Sequence, residues 1–258
     1  MNDVGGDSLN FFMKSCRACR TITPDMTKRN IASMSALIET RALTRSDERR
    51  QVALLQPTDF TLNRADRVSI TGSSGSGKSV FLRALALLDT PSGGQILWNN
   101  QPIVNAQIPH YRSHISYLSQ RPALIEGSVQ DNLRFPFSLK TLRQRSFDLP
   151  AVTALLGHAG KTPDFLAKNA GDLSGGESQV VSLIRTLQLN PEVLLLDEPT
   201  AALDPASSRE VEALIEAWFA GDAARAFIWV SHDLDQAQRM STIHLQMAAG
   251  VLSGADPR

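Results

Sequence analysis

The sequence is short of cysteine, of long apolar runs and of net charge, and each shortage excludes a class of protein. Its 258 residues include only two cysteines, Cys16 and Cys19, which are too few for a disulfide framework or a zinc site. We interpret this pair as incidental and expect a reducing, cytoplasmic location. No apolar run reaches the about 18 residues that a membrane-spanning helix requires, so a role in transport would need a separate membrane protein.

The charge balance and the composition are those of a globular protein. The 26 basic and 26 acidic side chains cancel, which argues against a protein that coats nucleic acid through its charge. Apolar residues make up 42% of the chain, enough for one large core with room for a small subdomain. Residues 1–33 are polar and unpatterned, and we expect a disordered extension there and a single domain over 34–258.

Strand-like and helix-like patterns alternate from Leu37 onward. The wholly apolar runs 193–196 and 226–230 are typical of doubly buried strands in a parallel sheet. Residues from about 131 to 185 contain Pro136, Pro150 and Pro163 and favour a helical subdomain. Other strands are predicted at 37–41, 51–62, 68–71, 95–98 and 115–118, a closing hairpin at 242–246 and 250–252, and helices at 79–88 and 206–219. This order predicts an α/β fold with a parallel core sheet.

A glycine-rich loop lies between the predicted strand 68–71 and the predicted helix 79–88. The glycines let backbone N–H groups surround phosphate oxygens, and the helix start adds its positive end. Lys78 supplies a cation for the β- and γ-phosphates, and Ser79 supplies a hydroxyl for Mg²⁺. The flanking strand and helix disfavour the alternative, a flexible Gly/Ser turn. The loop consists of Gly72, Ser73, Ser74, Gly75, Ser76, Gly77, Lys78 and Ser79.

Two adjacent carboxylates, Asp197 and Glu198, follow the apolar run 193–196. Ligands of α/β proteins bind at the carboxyl ends of the strands. Asp197 is therefore suited to hold Mg²⁺ through water, and Glu198 to orient or deprotonate an attacking water. Taken alone, an apolar run that ends in Asp-Glu is usually only the end of a strand, and the upstream phosphate loop is what favours the functional interpretation.

A third motif, Leu173-Ser174-Gly175-Gly176-Glu177, lies shortly before this strand. Its adjacent glycines would let backbone N–H groups approach an anion, with Ser174 as an additional donor. Without the other motifs, an ordinary helix start would be the favoured interpretation, in which Ser174 caps the helix and pairs with Glu177.

The three motifs in this order resemble the ATP-binding subunit of ABC transporters, over about residues 37–252. The resemblance identifies residues 72–79 with the Walker A loop, 193–198 with the Walker B strand and 173–177 with the signature, in which Glu177 replaces the more usual glutamine. Gln120, Asp204 and His232 match the Q-loop, the D-loop and the switch histidine. The implied fold is that of a P-loop NTPase of the ABC ATPase type, with a parallel core sheet, an antiparallel β subdomain and a helical subdomain.

The resemblance also implies ATP hydrolysis with Mg²⁺. The implied catalytic residues are Glu198, His232 and Lys78, with His232 bonded to the γ-phosphate and positioning the water. The implied metal residues are Ser79, Gln120 and Asp197. The implied nucleotide-binding residues are the loop 72–79 with Val80, together with Gln120, Ser174, Gly175, Gly176, Glu177 and Asp204.

Three positions depart from the family pattern. The stretch 41–47 lacks the aromatic residue that usually stacks on adenine, which leaves either a weaker adenine contact near Thr44 or stacking by the Arg45 guanidinium. Ala65-Asp66 replaces a common Gly-Glu turn, and Val180 replaces an arginine after the signature. None of these changes removes an implied catalytic group.

The family arrangement further implies a homodimer that holds each ATP between the phosphate loop of one chain and residues 174–176 of the other. It implies an integral membrane permease as partner, no nucleic acid, and a peripheral position on the cytoplasmic face of the inner membrane. The stretches 119–122, 135–137 and 182–185 are similar to an iron-export subgroup. Another cargo (amino acid, phosphate, lipoprotein or peptide), a non-transport ABC ATPase, and a regulator that binds nucleotide without turnover are the alternatives.

Overall fold

The computed structural model describes residues 36–47, 49–50, 52–142 and 144–254. The predicted disordered extension 1–33, with Cys16 and Cys19, lies outside these residues. The described chain belongs to one compact unit that begins at Ala36. Among its helices, none combines the length and the apolar character needed to span a bilayer.

The strands of the described residues form two sheets. One has four antiparallel strands, in the order β2-β1-β4-β5, and the other has six, in the order β10-β9-β3-β8-β7-β6. All neighbours in the larger sheet are parallel except β9 and β10. The strands are β1 (Ala36–Asp47), β2 (Val52–Asn63), β3 (Arg67–Thr71), β4 (Gly93–Trp98), β5 (Gln101–Pro102), β6 (Ile115–Leu118), β7 (Val193–Asp197), β8 (Ala226–Val230), β9 (Ile243–Ala248) and β10 (Val251–Gly254).

The helices lie mainly between these strands, as the alternating patterns predict. Three of them, with several 3₁₀ turns, follow one another between β6 and β7, where the proline-punctuated sequence predicts helical structure. The α-helices are α1 (Lys78–Leu85), α2 (Ile108–His114), α3 (Val129–Arg134), α4 (Leu149–His158), α5 (Gly175–Leu187), α6 (Pro205–Ala220) and α7 (Leu234–Met240).

The central strands β7 and β8 are buried on both faces. On one face, Leu194 and Trp229 pack into a core with apolar residues of α5 and α6. On the other, Leu195 and Ile228 pack with α1 and with the inner side of the four-stranded sheet. Alternate residues of one strand therefore enter different cores, and this accounts for the absence of polar residues within 193–196.

Two predicted boundaries were wrong for local reasons. The first strand, predicted at 37–41, continues to Asp47, because a bulge in its pairing with β2 between Thr40 and Leu43 interrupts the alternation. The helix predicted at 79–88 ends at Leu85, because Leu87 has a φ of 54°, a left-handed conformation that cannot continue a helix. Leu88 continues the apolar spacing but is exposed.

Truncation of Leu195 tests the packing of β7. Its side chain is 0% exposed, so Leu195→Ala should lower the free energy of unfolding by about 2–5 kcal/mol, from lost burial and a residual cavity. Urea denaturation measures this loss. The matched variant Leu139→Ala, at a side chain that is 45% exposed, should change it by about 0.5 kcal/mol or less. Equal losses in the two variants would contradict the double burial of β7.

Candidate functional site

The phosphate loop connects β3 to α1 in the predicted place. Gly72, Gly75 and Gly77 all have positive φ, at 147°, 76° and 109°, which glycine adopts without strain. The ammonium group of Lys78 donates to the carbonyl oxygens of Gly72 and Ser73, at 2.8 and 2.9 Å. The lysine is thereby held within the concave side of its own loop, where a phosphate would bind.

Neighbouring segments support this loop from outside. The backbone N–H of Gly250, in the turn between β9 and β10, donates to the carbonyl oxygen of Ser76 at 2.8 Å. A Cβ at Gly72 would collide with the carbonyl oxygen of Met247 in β9. The Ser76 hydroxyl is buried and has no hydrogen-bond partner among the described residues. An unpartnered donor in this position fits a loop that receives phosphate oxygens.

The predicted metal-binding side is built on Asp197, at the carboxyl end of β7. Ser79 donates its hydroxyl to Oδ1 of Asp197 at 2.9 Å, and Tyr117 donates to Oδ2 at 2.8 Å. Among the described residues there is no cluster of three or more His, Cys, Asp and Glu that could hold a metal alone. Mg²⁺ prefers oxygen ligands and usually takes only one or two carboxylates, with phosphates and water, so Ser79 and Asp197 fit it.

Glu198 is the point at which the predicted catalytic side chains meet. Its Oε2 accepts from the amide of Gln120 at 3.0 Å. Its Oε1 lies 3.1 Å from Nδ1 of His232 and 4.0 Å from Nζ of Lys78. Glu198 has a φ of 50°, an uncommon conformation for a residue with a side chain. This turn of the backbone directs Glu198 to different partners from those of Asp197.

Gln120 is predicted to contact the metal, and the structure brings it to Glu198 rather than to Ser79 or Asp197. The side chain extends from the segment just after β6, whose Leu118 pairs with Leu196 of β7. Its role toward the metal therefore stays a prediction, while its contact with the carboxylate is a feature of the structure.

The signature residues form the start of α5. Ser174 accepts from the N–H of Glu177 at 3.2 Å, and Glu177 accepts from the N–H of Ser174 at 2.9 Å. This is the capping arrangement that the sequence offers as the alternative interpretation. Ser174 and Gly175 are exposed, so the same N-terminus can also meet an anion from outside.

The acidic residue of the signature is neutralised locally. Lys168 donates to both carboxylate oxygens of Glu177, each at 2.8 Å. This bond, with the backbone bond from Ser174, holds the pKa of Glu177 below its usual range. Glu177 is therefore charged at neutral pH, and the lysine offsets its charge. Lys168 is not predicted from the sequence, because the signature motif contains no signal for a partner from the preceding 3₁₀ segment.

Asp204 acts as the N-terminal cap of α6. Its Oδ1 accepts from the N–H groups of Ala206 and Ser207 at 2.9 and 3.0 Å, and its Oδ2 accepts from the Ser207 hydroxyl at 2.6 Å. The bond from the Ser207 hydroxyl is the main cause of its lowered pKa. Ser207 also lies against Gly176, where it would meet an added Cβ. The predicted contact of Asp204 with nucleotide remains a prediction.

Beneath His232 lies a buried polar network that the sequence analysis misses. Gln236 of α7 accepts from the hydroxyls of Thr200 and Ser231, at 3.0 and 3.1 Å. Its amide donates to Glu212 of α6 at 2.8 Å, and Arg239 donates to the same carboxylate at 2.9 Å. The network joins the segment that follows β7 to the segment that follows β8, which carry Glu198 and His232.

The expected adenine region lies beside β1 and β2. Arg45 lines a shallow pocket with Asp47, Arg49 and Leu54, and its guanidinium lies 3.5 Å from the Ser92 hydroxyl. The carbonyl of Leu54 approaches Gly77 closely enough to meet an added Cβ at 3.0 Å. The pocket therefore adjoins the phosphate loop, and stacking by Arg45 on adenine remains a prediction.

Gly72→Ala tests the fit of the phosphate loop. The added Cβ would collide with the Met247 carbonyl at a φ that disfavours side chains, so the loop must shift and affinity for ATP should fall by about tenfold or more. Fluorescence titration with an ATP analogue measures the affinity. Gly157→Ala, in α4, where an added Cβ meets open space, should leave it unchanged. Unaltered binding by Gly72→Ala would contradict the described loop.

Comparison with known proteins identifies the family. The model of the ABC transporter family matches residues 55–201. The Escherichia coli (strain K12) protein named "Probable iron export ATP-binding protein FetA" is 36% identical over 203 residues, covering 78% of this chain and 88% of that protein. The nickel import ATP-binding protein NikO of Rhodobacter capsulatus is 36% identical over 220 residues, covering 80% and 84%.

A plant protein and a solved structure also match this chain. Protein STAR1 of rice is 36% identical over 219 residues, which cover 85% of this chain but only 62% of that protein. The dimeric structure of the ATP-binding cassette MJ0796 in a post-hydrolysis state, bound to ADP and Pi, has the same fold. It matches with a TM-score of 0.73 and 22% identity, over 86% of this chain and 100% of that one. By its family model and its relatives, the chain belongs to the ABC transporter family, as one of its ATP-hydrolysing, ATP-binding subunits.

Proposed function

We propose that this chain hydrolyses Mg²⁺-ATP as a homodimer and thereby powers a separate membrane permease. The observation that carries the proposal is the convergence of Lys78, Gln120 and His232 on the single carboxylate of Glu198. This carboxylate follows the carboxyl end of β7, at the same edge of the parallel sheet where β3 ends and the phosphate loop begins. A phosphate-binding loop, a base and a polarising cation are thus present in one site.

In the proposed reaction, a water oxygen attacks the γ-phosphorus while the bond to the β–γ bridging oxygen breaks. Glu198 orients the water and accepts its proton, so that ADP and phosphate are the products. The ammonium group of Lys78 moves from the two loop carbonyl oxygens that it contacts to the phosphates. His232 forms a hydrogen bond with the γ-phosphate. Ser79 and Asp197 would hold Mg²⁺, which would neutralise charge on the phosphate oxygens.

The signature supports the proposed dimer. Among the described residues, no hydrogen bond or ion pair joins residues 174–177 to the phosphate loop. The exposed N-terminus of α5 is suited to a phosphate of the nucleotide bound to a second chain. Lys168 favours this encounter, because an unpaired Glu177 carboxylate would repel a triphosphate. MJ0796, which has the same fold, forms a dimer of cassettes.

Glu198→Gln tests the catalytic proposal. The amide keeps the shape of the side chain but cannot accept the proton, so ATP turnover should fall by about 100-fold or more. The variant should also accumulate as an ATP-bound dimer in light-scattering measurements. Glu126→Gln, which removes an exposed carboxylate, should retain the parental rate. Parental turnover by Glu198→Gln would show that another group activates the water.

A groove beside the site supports the permease as partner. It lies between the end of α1, strand β6 and the region of α3, and Leu88, Ile125, Phe135 and Leu139 expose apolar surface in or beside it. Exposed apolar patches of this kind mark interaction surfaces. We assign to the groove an amphipathic helix from a cytoplasmic loop of the permease. This assignment positions the chain at the cytoplasmic face of the membrane.

Leu139→Asp tests the groove. A carboxylate buried by the docked helix would lose hydration without a partner, so co-purification with a multi-span membrane protein encoded beside this chain should be lost. Nucleotide affinity should not change. Val104→Asp places the same charge at an exposed apolar position outside the groove and should leave the complex intact. Retention of the complex by Leu139→Asp would exclude the groove as the docking surface.

Iron export is the finer proposal for the cargo. FetA supports it by identity and coverage, whereas NikO, at the same identity, is named for nickel import. The cargo is selected by the permease rather than by this chain. Iron accumulation in cells lacking both the chain and its permease tests the proposal, and unchanged iron with altered nickel would favour the second metal.

A further inference from the structure

We propose that Tyr117 is a positioning residue for Mg²⁺, which orients the carboxylate of Asp197 from the wall of the apolar groove. The inference rests on the proposed function, because it concerns the metal that accompanies ATP. Tyr117 is absent from the set of residues that the sequence motifs indicate. Its assignment depends on the register between two strands and on the groove that its ring lines.

The strand register brings the tyrosine to the carboxylate. Tyr117 of β6 pairs with Leu195 of β7, and Asp197 follows Leu195 by two positions, on the same face of the sheet. The phenol therefore reaches diagonally across the strand pair, and its hydroxyl donates to Oδ2 of Asp197 at 2.8 Å. Ser79 donates to Oδ1 at 2.9 Å. Both carboxylate oxygens therefore accept a hydrogen bond from a hydroxyl group, and rotation of the carboxylate would break both bonds.

The hydroxyl of Tyr117 donates its one hydrogen bond to Asp197. A phenol has a single proton to donate, and the 2.8 Å contact with Oδ2 uses it. The guanidinium of Arg83, in α1, donates instead to both oxygens of Asp89, at 2.9 and 2.8 Å.

Tyr117 also belongs to the proposed permease site. It lines the groove together with Leu88, Phe135 and Leu139. A helix docked in the groove would therefore lie against a residue whose hydroxyl donates to the carboxylate of Asp197. This connection differs from that of Gln120, which reaches Glu198 and not Asp197.

Tyr117→Phe removes the hydroxyl and keeps the ring. The experiment compares the affinity of a fluorescent ATP analogue in EDTA with its affinity in Mg²⁺, so that the gain due to the metal is measured without turnover. Loss of a group that orients a metal ligand typically weakens metal binding about 10-fold or more. We expect Tyr117→Phe to reduce the Mg²⁺-dependent gain by about 10-fold and to leave the affinity in EDTA unchanged.

Tyr111→Phe is the matched control. Tyr111, the other tyrosine of the chain, is fully buried, and its hydroxyl donates to the carbonyl of Leu85 at 2.7 Å. Its removal should lower the thermal midpoint but leave the Mg²⁺-dependent gain as in the parent. An equal reduction of the gain in both variants would assign the effect to general loosening and overturn the proposal.

A cycle with Asp197→Asn tests the route of the effect. If Tyr117 acts through Asp197, adding Tyr117→Phe to Asp197→Asn should reduce the Mg²⁺-dependent gain little further. Fully additive losses, or a parental gain in Tyr117→Phe, would overturn the proposal and leave the proposed ATPase intact. Failure of the parental chain to bind the analogue at all would instead overturn the proposed function.

Discussion

Two neighbouring carboxylates with opposite requirements set the central constraint of this structure. The proposed function requires Asp197 to hold a cation and Glu198 to act on water, although they are consecutive residues. The chain separates them by ending β7 at Asp197 and turning Glu198 into a left-handed conformation. Asp197 then accepts hydrogen bonds from the hydroxyl groups of Ser79 and Tyr117. Glu198 instead contacts Gln120, Lys78 and His232. The interactions that both residues make with their partners offset the conformational cost of this backbone turn.

The six-stranded sheet and the two apolar cores fix the position of this edge of the sheet. Since β7 is buried on both faces, its carboxyl end is held in a fixed register between β6 and β8. The buried network of Gln236 and Glu212 then fixes the segment that carries His232. Packing of the apolar interior thus fixes the positions of the site residues, and a small number of hydrogen bonds orients their side chains.

The amino-acid patterns predicted the structure best where the residues of a single segment determine its conformation. The limits of β6 and β8 agree with the predicted 115–118 and 226–230, because polar residues bound both segments in the sequence. The glycines and lysine of the phosphate loop carry a similarly local signal. The contacts of Lys168 with Glu177 and of Tyr117 with Asp197 join separate elements, and no spacing within either element encodes them. The bulge in β1 hid the length of that strand for the same reason.

The tight turn at Gly250 has a consequence for the phosphate loop and for β2. Its N–H bonds the phosphate loop at Ser76, and its carbonyl accepts from Gln56 of β2 at 2.9 Å. One residue near the carboxyl terminus therefore clamps both sheets and the loop together. A shortened chain that lost β10 would lose more than an edge strand. The grip on phosphate would loosen, although every residue of the Walker A sequence remained in place.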